Sequence, residues 1–265
     1  MADVVEYAVG MGAARRLSNE PMSAAEREVR GELAAAYRLA QHYGWDEIIY
    51  NHISARVPGH EAHFLINPYG LAFEEVTASN LVKVDLAGNI IGDSEYPING
   101  AGFTIHSAIH AARHDAACVL HLHTEAGVAI SMLEEGLLPL SQTAMLFHNR
   151  VAFHEYEGIA LDLDERQRLI DDLGDKSAMI LRNHGTLVTG RSVGEAFTQM
   201  YLLEKACKSQ LQAMACNVRL HHAGQHVADA TVRMFAGGMV RHGGADTAWQ
   251  AMLRRLDRID TSYRD

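Results

Sequence analysis

The stretch Val119-Leu120-His121-Leu122-His123-Thr124 decides how this sequence of 265 residues is interpreted. An apolar run leads directly into two histidines that stand one residue apart. In an extended strand, residues i and i+2 point to the same side, so both imidazoles can face one point. A second apolar run, followed by Asn183-His184-Gly185, offers a third histidine. If His184 reaches the same point, His121, His123 and His184 would bind one divalent metal ion, with coordination positions left open for substrate. Taken alone, the pair His121 and His123 also fits a hydrogen-bonded surface pair.

Composition and charge restrict the class of protein. Hydrophobic residues make up 48% of the chain, enough to bury a sizeable core. The formal net charge of −10 makes a nucleic-acid backbone or an anionic membrane surface an unfavourable partner. No apolar run reaches the length of about 18 residues that a membrane span needs, and no secretion signal is recognisable. Cys118, Cys207 and Cys216 show no metal-ligand spacing, which favours reduced, structural thiols in the cytoplasm.

The first third of the chain is predicted to hold one helix and a set of antiparallel strands. Residues 23–265 are expected to form a single domain, preceded by a polar N-terminal arm, residues 1–22, that is mobile or contacts another subunit. Ser23 and Glu26 form a capping-box pattern that predicts a helix ending at about His42. Short alternating segments separated by turn sequences then predict four strands. They are Ile53 to Val57, His63 to Ile66, Leu81 to Val84, and Asn89 to Ile91.

From Gly100 onward the hydrophobic pattern alternates between helix and strand. Helices are predicted over Ala101 to Ala112, Glu125 to Leu133, Leu161 to Leu173, Val193 to Ala215, and Thr247 to Ile259, the last capped by Asp246 or Thr247. Strands are predicted over Cys118 to His121 and over Ala178 to Leu181. For the glycine-rich and histidine-rich passage from Leu220 to Gly244 the sequence predicts no element.

Several motifs, taken in order along residues 25–240, resemble the class II aldolase/adducin family, in its adducin-like bacterial branch. They are Tyr50-Asn51-His52-Ile53-Ser54-Ala55-Arg56-Val57, Asn67-Pro68-Tyr69-Gly70, Thr77-Ala78-Ser79, Gly102-Phe103-Thr104-Ile105-His106-Ser107-Ala108-Ile109-His110-Ala111-Ala112-Arg113, His121-Leu122-His123-Thr124 and Asn183-His184-Gly185. The resemblance implies an α/β fold, a three-layer α/β/α sandwich around a central, mostly antiparallel sheet. It also implies a homo-oligomer, commonly a homotetramer with sites at the subunit boundaries.

The resemblance further implies a small-molecule substrate and a divalent ion held by three histidines, which by position are His121, His123 and His184. Zn²⁺ is the expected ion, with Mn²⁺ or another transition metal as alternatives. An ion held by three neutral imidazoles has room for two adjacent oxygens of a hydroxy-keto compound or a 2-oxo acid. Aldol cleavage and decarboxylation both push electrons onto such an oxygen to make an enolate, and the ion stabilises that charge as a Lewis acid.

The sequence departs at two positions from the sugar-phosphate aldolases of this family. Their proton-carrying acid aligns with Gly102, and the serines before it are absent from Ile98-Asn99-Gly100-Ala101. The Gly-Asn of their first phosphate loop aligns with Asn51-His52. Loss of the acid removes the obvious general base for aldol chemistry. Both departures argue against a phosphorylated sugar as the substrate.

The predicted function is a cytoplasmic, metal-dependent carbon–carbon lyase that acts on an unphosphorylated oxo- or hydroxy-carboxylate by decarboxylation or retro-aldol cleavage. The alternatives are a non-catalytic, adducin-like protein-binding domain, and a sugar-phosphate aldolase or epimerase with a substituted proton carrier. His106 is predicted to be catalytic, although its i,i+4 spacing from His110 also fits a hydrogen-bonded packing pair. The proton donor could be His106, His52, Tyr69 or His110, or a tyrosine or histidine from a neighbouring subunit. The residues predicted to bind substrate are Asn51, His52, Gly70, Gly102 and Phe103.

Overall fold

The computed structural model describes residues 16–17, 21–159, 164–242 and 244–265. Within these ranges nine strands form one sheet. The strands are β1 (Arg16–Leu17), β2 (His52–Arg56), β3 (His63–Ile66), β4 (Val82–Asp85), β5 (Ile90–Ile91), β6 (Cys118–Leu122), β7 (Val151–His154), β8 (Ala178–Leu181) and β9 (Gly185–Gly190). Their order across the sheet is β1-β5-β4-β3-β2-β6-β9-β8-β7. Neighbouring strands pair antiparallel except at the two edges, where β1 with β5 and β7 with β8 pair parallel.

Helices cover both faces of this sheet. The described residues form α1 (Ala24–His42), α2 (Gly100–Ala112), α3 (Glu125–Ser131), α4 (Gln142–Met145), α5 (Glu165–Leu173), α6 (Val193–Ala215), α7 (Gln225–His242) and α8 (Gly244–Leu256). The alternation within β6 shows how the layers are separated. Leu120 joins the core formed with α1, α6 and α8, whereas Val119 joins the core formed with α2 and α5. The predicted three-layer α/β/α sandwich with a mostly antiparallel sheet is therefore confirmed.

Most predicted elements agree with the observed bounds to within a few residues. The prediction missed β7, β9 and α4, and α7 occupies part of the passage for which no element was predicted. β9 is six buried residues that begin and end in glycine, a residue that is depleted in strands and common in turns. The last helix begins at Gly244, so the cap predicted at Asp246 or Thr247 is wrong.

Two sequence predictions fall partly outside the described residues. Most of the arm predicted for residues 1–22 lies there, although Arg16 and Leu17 pair with β5 at the edge of the sheet. Residues 161–163, where the fifth helix was predicted to begin, also lie outside, and the helix is described from Glu165. None of the helices that the structure describes is long and apolar enough to cross a membrane.

The first long helix begins at its predicted cap, but Glu26 does not complete the predicted capping box. The Ser23 hydroxyl accepts a hydrogen bond from the Glu26 backbone N–H at 3.0 Å. The Glu26 carboxylate instead forms buried ion pairs with Arg30 at 3.1 Å and with Lys83 at 3.0 Å. Burial raises the pKa of Glu26, but hydrogen bonds from Lys83 and Arg30 outweigh burial and hold this pKa below its ordinary value. The pair with Lys83 ties α1 to β4.

Tyr37 connects α1 to β2 and to the end of β3. Its hydroxyl oxygen accepts hydrogen bonds from the backbone N–H groups of Ile53 at 2.7 Å and Asn67 at 3.2 Å, and the side chain is fully buried. Tyr37→Phe leaves both N–H groups buried without this partner, so the free energy of unfolding should fall by about 1–3 kcal/mol in urea denaturation. Tyr50→Phe, at a side chain that is 52% exposed, is the matched control. A change below about 0.5 kcal/mol for Tyr37→Phe would contradict this expectation.

Candidate metal centre

Three histidines converge at one end of the central strands. β6 carries His121 and leads into His123, and the turn between β8 and β9 brings His184 beside them. The Nε2 atom of His121 lies 3.0 Å from Nε2 of His123 and 3.3 Å from Nε2 of His184. The ligand atoms that the three residues offer all lie within 4.8 Å of one another. His121 is buried and the other two are half-buried, so the group is open on one side.

Hydrogen bonds to two groups outside the trio fix the tautomers of His121 and His123. His121 Nδ1 lies 3.1 Å from the carbonyl oxygen of Thr186, and His123 Nδ1 lies 2.5 Å from Oε2 of Glu47. A carbonyl and a carboxylate only accept, so each Nδ1 carries the proton and donates it. Each neutral ring then has a free lone pair on Nε2, and two such lone pairs 3.0 Å apart repel each other unless a proton or a metal ion lies between them. This arrangement fits a divalent metal with outer-sphere support on its imidazoles.

Burial favours the neutral, metal-binding form of these imidazoles. Burial first, and the neighbouring His184 and His123 next, hold the pKa of His121 well below its ordinary value. Burial, followed by His123, lowers the pKa of His184 to about 4. Since a metal binds the unprotonated imidazole, the site can accept an ion at neutral pH without displacing protons from these two residues. The structure thus brings together the three residues predicted as ligands, and their binding of metal stays a prediction.

The turn that carries His184 explains why the sequence reads Asn-His-Gly. Asn183 has φ of 55°, in the left-handed region that asparagine tolerates better than most residues. A Cβ atom on Gly185 would lie 2.6 Å from the carbonyl oxygen of Leu122. Glycine therefore allows the backbone of β9 to approach the end of β6, and this approach places His184 beside His121.

A chain of buried polar groups lies between β2 and α2. His52 Nδ1 lies 2.8 Å from Nε2 of His106, and His106 Nδ1 lies 2.5 Å from the hydroxyl oxygen of Ser54. The same hydroxyl lies 2.7 Å from Nε2 of His110, whose Nδ1 lies 3.2 Å from the carbonyl oxygen of Ala116. All four side chains are at least nine-tenths buried. We call this series the histidine chain.

His52 stands between the histidine chain and the three candidate ligands. Its ring centroid lies 5.1 Å from that of His121. His106 lies behind it, fully buried, with both ring nitrogens bonded to His52 and Ser54. Any proton exchange between His106 and a substrate must therefore pass through His52. The proton-donor role of His106 stays a prediction, while the packing-pair interpretation of His106 and His110 agrees with the hydrogen bonds that both make to Ser54.

Burial also keeps the histidine chain uncharged. It is the largest cause that holds the pKa values of His52 and His106 well below the ordinary range, and neighbouring histidines add to it. Burial, followed by the charge of Arg56, lowers the pKa of His110 to about 3. All three residues are therefore neutral at neutral pH, and each imidazole has one donor and one acceptor nitrogen.

The other residues predicted to bind substrate have different surroundings. A Cβ atom on Gly102 would lie 2.6 Å from Cδ2 of the His52 ring, so that ring occupies the space of a side chain at residue 102. Asn51 is 1% exposed and its amide has no hydrogen-bond partner among the described residues. Phe103 packs in a core cluster between α2 and the sheet, which explains its burial without a ligand. Gly70 has φ of 104°, which accounts for the glycine by its turn. Substrate contacts at these positions stay predictions.

Glu47 is a site residue that the sequence analysis missed. It lies 76 positions from His123 in the sequence, so no local spacing connects the two. Glu47→Ala removes the acceptor that orients His123, and we expect the dissociation constant for Zn²⁺ to rise about 10–100-fold. Isothermal titration calorimetry checks this, with Glu74→Ala, at an exposed acidic residue outside the site, as the matched control. Equal Zn²⁺ affinity in the two variants would rule out an orienting role for Glu47.

Comparisons with known proteins identify the family of this chain. The family described as Class II Aldolase and Adducin N-terminal domain matches residues 31–211. The solved aldolase II superfamily protein from Pseudomonas syringae is 54% identical, with coverage of 92% of this chain and 98% of that one and a TM-score of 0.87. The L-fuculose 1-phosphate aldolase from Glaciozyma antarctica PI12 is 29% identical, with coverage of 93% and 97% and a TM-score of 0.79. Alpha-adducin from Rattus norvegicus is 43% identical over 88% of this chain and 34% of its own length.

Proposed function

The chain belongs to the class II aldolase and adducin family, and on this premise we propose that it is a metal-dependent carbon–carbon lyase. The proposed substrate is an unphosphorylated oxo- or hydroxy-carboxylate, cleaved by decarboxylation or by a retro-aldol reaction. One observation carries the proposal. The Nε2 atoms of His121 and His123 face each other at 3.0 Å, while Thr186 and Glu47 hold their Nδ1–H groups on the outside.

We propose that His121, His123 and His184 hold Zn²⁺, with Mn²⁺ or another transition metal as alternatives. When bound, the ion supplies a Lewis acid for the negative charge that develops on a substrate oxygen as a carbon–carbon bond breaks. The residues of the chain orient the substrate around it. His123 and His184 are half-buried, so we infer that substrate enters on their side, while His52 lies on the buried side.

The lack of a carboxylate at residue 102 favours decarboxylation. In that reaction the bond to the carboxylate breaks, CO₂ leaves, the bonding electrons stay with the substrate, and a proton later joins the carbon. No base is needed to start it. A retro-aldol reaction must instead remove a proton from a hydroxyl group. The Nε2 atom of His52, which has no hydrogen-bond partner among the described residues, is the group that we propose for meeting that hydroxyl.

Two alternatives have observations in their favour. The 43% identity to alpha-adducin favours a non-catalytic domain that binds protein. Such a domain has no need for imidazole lone pairs that converge on one point. The likeness to an L-fuculose 1-phosphate aldolase favours a sugar-phosphate aldolase or epimerase with a substituted proton carrier. The ring of His52 beside Gly102 argues against that, because it leaves no space for an acid at residue 102.

A substrate screen with controlled metal content tests the proposal. The full chain, loaded with Zn²⁺ or Mn²⁺, is offered a panel of 2-oxo acids, hydroxy-aromatic acids and L-fuculose 1-phosphate, and release of CO₂ and of aldehyde is followed. We expect product from an unphosphorylated acid, lost on chelation and restored by metal. A protein that binds no divalent metal, or that releases the same product with the chelator present, refutes the proposal. Turnover of the sugar phosphate alone supports the second alternative.

We also propose that the chain works as a cytoplasmic homotetramer. Large apolar side chains are exposed, and a neighbouring subunit would cover them. They include Ile48, Tyr50, Tyr156 and Ile159, each more than half exposed. Tyr156 lies beside the trio, with its ring centroid 6.0 Å from that of His184. Size-exclusion chromatography with light scattering tests this, and a monomer would refute it.

A further inference from the structure

The histidine chain has a direction that begins at a backbone carbonyl. The oxygen of Ala116 only accepts, so His110 Nδ1 carries a proton and donates it, and His110 Nε2 is left as an acceptor. The Ser54 hydroxyl must therefore donate to His110, and its oxygen accepts from the Nδ1–H group of His106. His106 Nε2 is then an acceptor, and His52 must donate to it through Nδ1–H. One tautomer follows from the next without a free choice.

This order leaves His52 with a lone pair on Nε2. None of the described residues makes a hydrogen bond to that atom. It lies 3.1 Å from the position that a Cβ atom on Gly102 would take, and the ring lies 5.1 Å, centroid to centroid, from the ring of His121. The ring that carries this lone pair therefore lies beside His121. A side chain larger than that of glycine at residue 102 would collide with the ring.

We propose that His52 contacts the substrate through Nε2 as a neutral hydrogen-bond acceptor. Its tautomer is fixed by the hydrogen bonds that run from Ala116 along the histidine chain. Residue 102 must be glycine for the His52 ring to fit. A lone pair attracts a donor and repels an oxyanion. The group that it takes is therefore a substrate hydroxyl, not an oxygen of a phosphate or a second carboxylate. His106, Ser54 and His110 act through His52 and are positioning residues.

Only part of this inference depends on the proposed function. The choice of a hydroxyl group as ligand rests on it, because that choice supposes that a hydroxy-carboxylate binds at the trio. The tautomer of His52 and the need for glycine at residue 102 are properties of the metal-free protein. They can be measured even if the chain has no lyase activity.

Solid-state NMR of the metal-free chain labelled with ¹³C,¹⁵N-histidine tests the tautomer. The His52 signals are assigned in the unmodified chain by sequential correlations with Asn51 and Ile53. We expect Nδ1–H with an unprotonated Nε2, and the same tautomer for His106 and His110. An Nε2–H tautomer at His52 would overturn the proposal. Because the measurement uses the unmodified sequence, it decides the question even where variants fail to fold.

Two variants test how the tautomer is fixed. Ser54→Ala interrupts the histidine chain, and we expect His52 to become a mixture of tautomers. Gly102→Ala displaces the His52 ring, and we expect the signal of its hydrogen bond to His106 to be lost. Each variant has a matched control. Ser107→Ala removes the hydroxyl group of a buried serine on α2 that is not part of the histidine chain. Gly31→Ala adds a Cβ atom that meets nothing within 4 Å. An unchanged His52 signal in both test variants would overturn the positioning role.

Two small acids test the ligand class on the Zn²⁺-loaded chain. Glycerate and lactate both have a carboxylate and a 2-hydroxyl group, but glycerate carries one further hydroxyl. We expect glycerate to bind about tenfold more tightly, to shift the His52 Nε2 resonance, and to lose its advantage in His52→Phe. Equal binding to the unmodified chain, or a preference retained in His52→Phe, would overturn the ligand class. A chain with the expected tautomer that binds no Zn²⁺ would instead refute only the proposed function.

Discussion

His121→Ala is expected to weaken Zn²⁺ binding by at least about 100-fold. Loss of an outer partner of a ligand costs about 10–100-fold, and loss of the ligand itself must cost more. His121 is the central member of the trio, because its Nε2 is within 3.3 Å of the Nε2 atoms of both His123 and His184. Its removal leaves two imidazoles with no third nitrogen between them. Competition against a chromogenic chelator measures the dissociation constant, and lyase activity should fall with metal occupancy.

The control for this variant must separate ligand loss from unfolding. His121 is fully buried, so its truncation also lowers stability, and the melting temperature is measured alongside the affinity. His114→Ala removes a histidine whose side chain is 71% exposed and should leave the Zn²⁺ affinity unchanged. A folded His121→Ala protein that keeps the affinity of the unmodified chain would show that the trio is not the metal site.

Acidification should unfold the metal-free protein between about pH 6.5 and pH 4, and this is the second large effect. The folded pKa of His110 is about 3, whereas an unfolded histidine titrates near about 6.5. Between these values the unfolded chain binds more protons than the folded one, so stability is complete above about pH 6.5 and falls as the pH falls. His52, His106, His121 and His184 have lowered folded pKa values too and act in the same direction.

The size of the acid effect follows from the number of buried histidines. Each buried histidine lowers the free energy of unfolding by about 1.4 kcal/mol for every pH unit between its unfolded and its folded pKa. His110 alone therefore lowers the free energy of unfolding by about 5 kcal/mol by pH 3. That is comparable with the whole stability of a marginal domain. Urea denaturation between pH 8 and pH 5 measures the slope, which should decrease in His110→Gln and stay the same in His114→Ala. A free energy of unfolding that does not change with pH between 7 and 5 would contradict this expectation.

The sequence was sufficient for those features of the site that depend on local periodicity. The alternation that runs from β6 into His123 places His121 and His123 on one side, and an apolar run before Asn183 places His184 at a matching strand end. Hydrogen-bond partners across the sheet depend on register, which local periodicity does not contain. His52 and His106 are 54 positions apart, so their bond was not predictable from either segment.

Gly102 also shows that local sequence does not reveal contacts between distant segments. The sequence shows only that the acid of the sugar-phosphate aldolases is absent at residue 102, and no neighbouring residue indicates what fills its space. The structure shows that the ring of His52 fills the space, so the departures at residues 52 and 102 are two parts of one packing arrangement. β9 was missed because a glycine, a residue that marks turns, stands at each of its ends, although all six of its residues are buried between two other strands.

The pairing of β6 with β2 and β9 has a consequence for kinetics. His121 lies opposite His52 on one side and opposite Leu187 on the other, and both neighbours come from distant parts of the chain. Such non-local pairings form late, because the entropy of closing long loops must be overcome first. We therefore expect the three ligands to meet late in folding. On that expectation a bound ion should slow unfolding more than it accelerates folding, which stopped-flow kinetics with and without Zn²⁺ would measure.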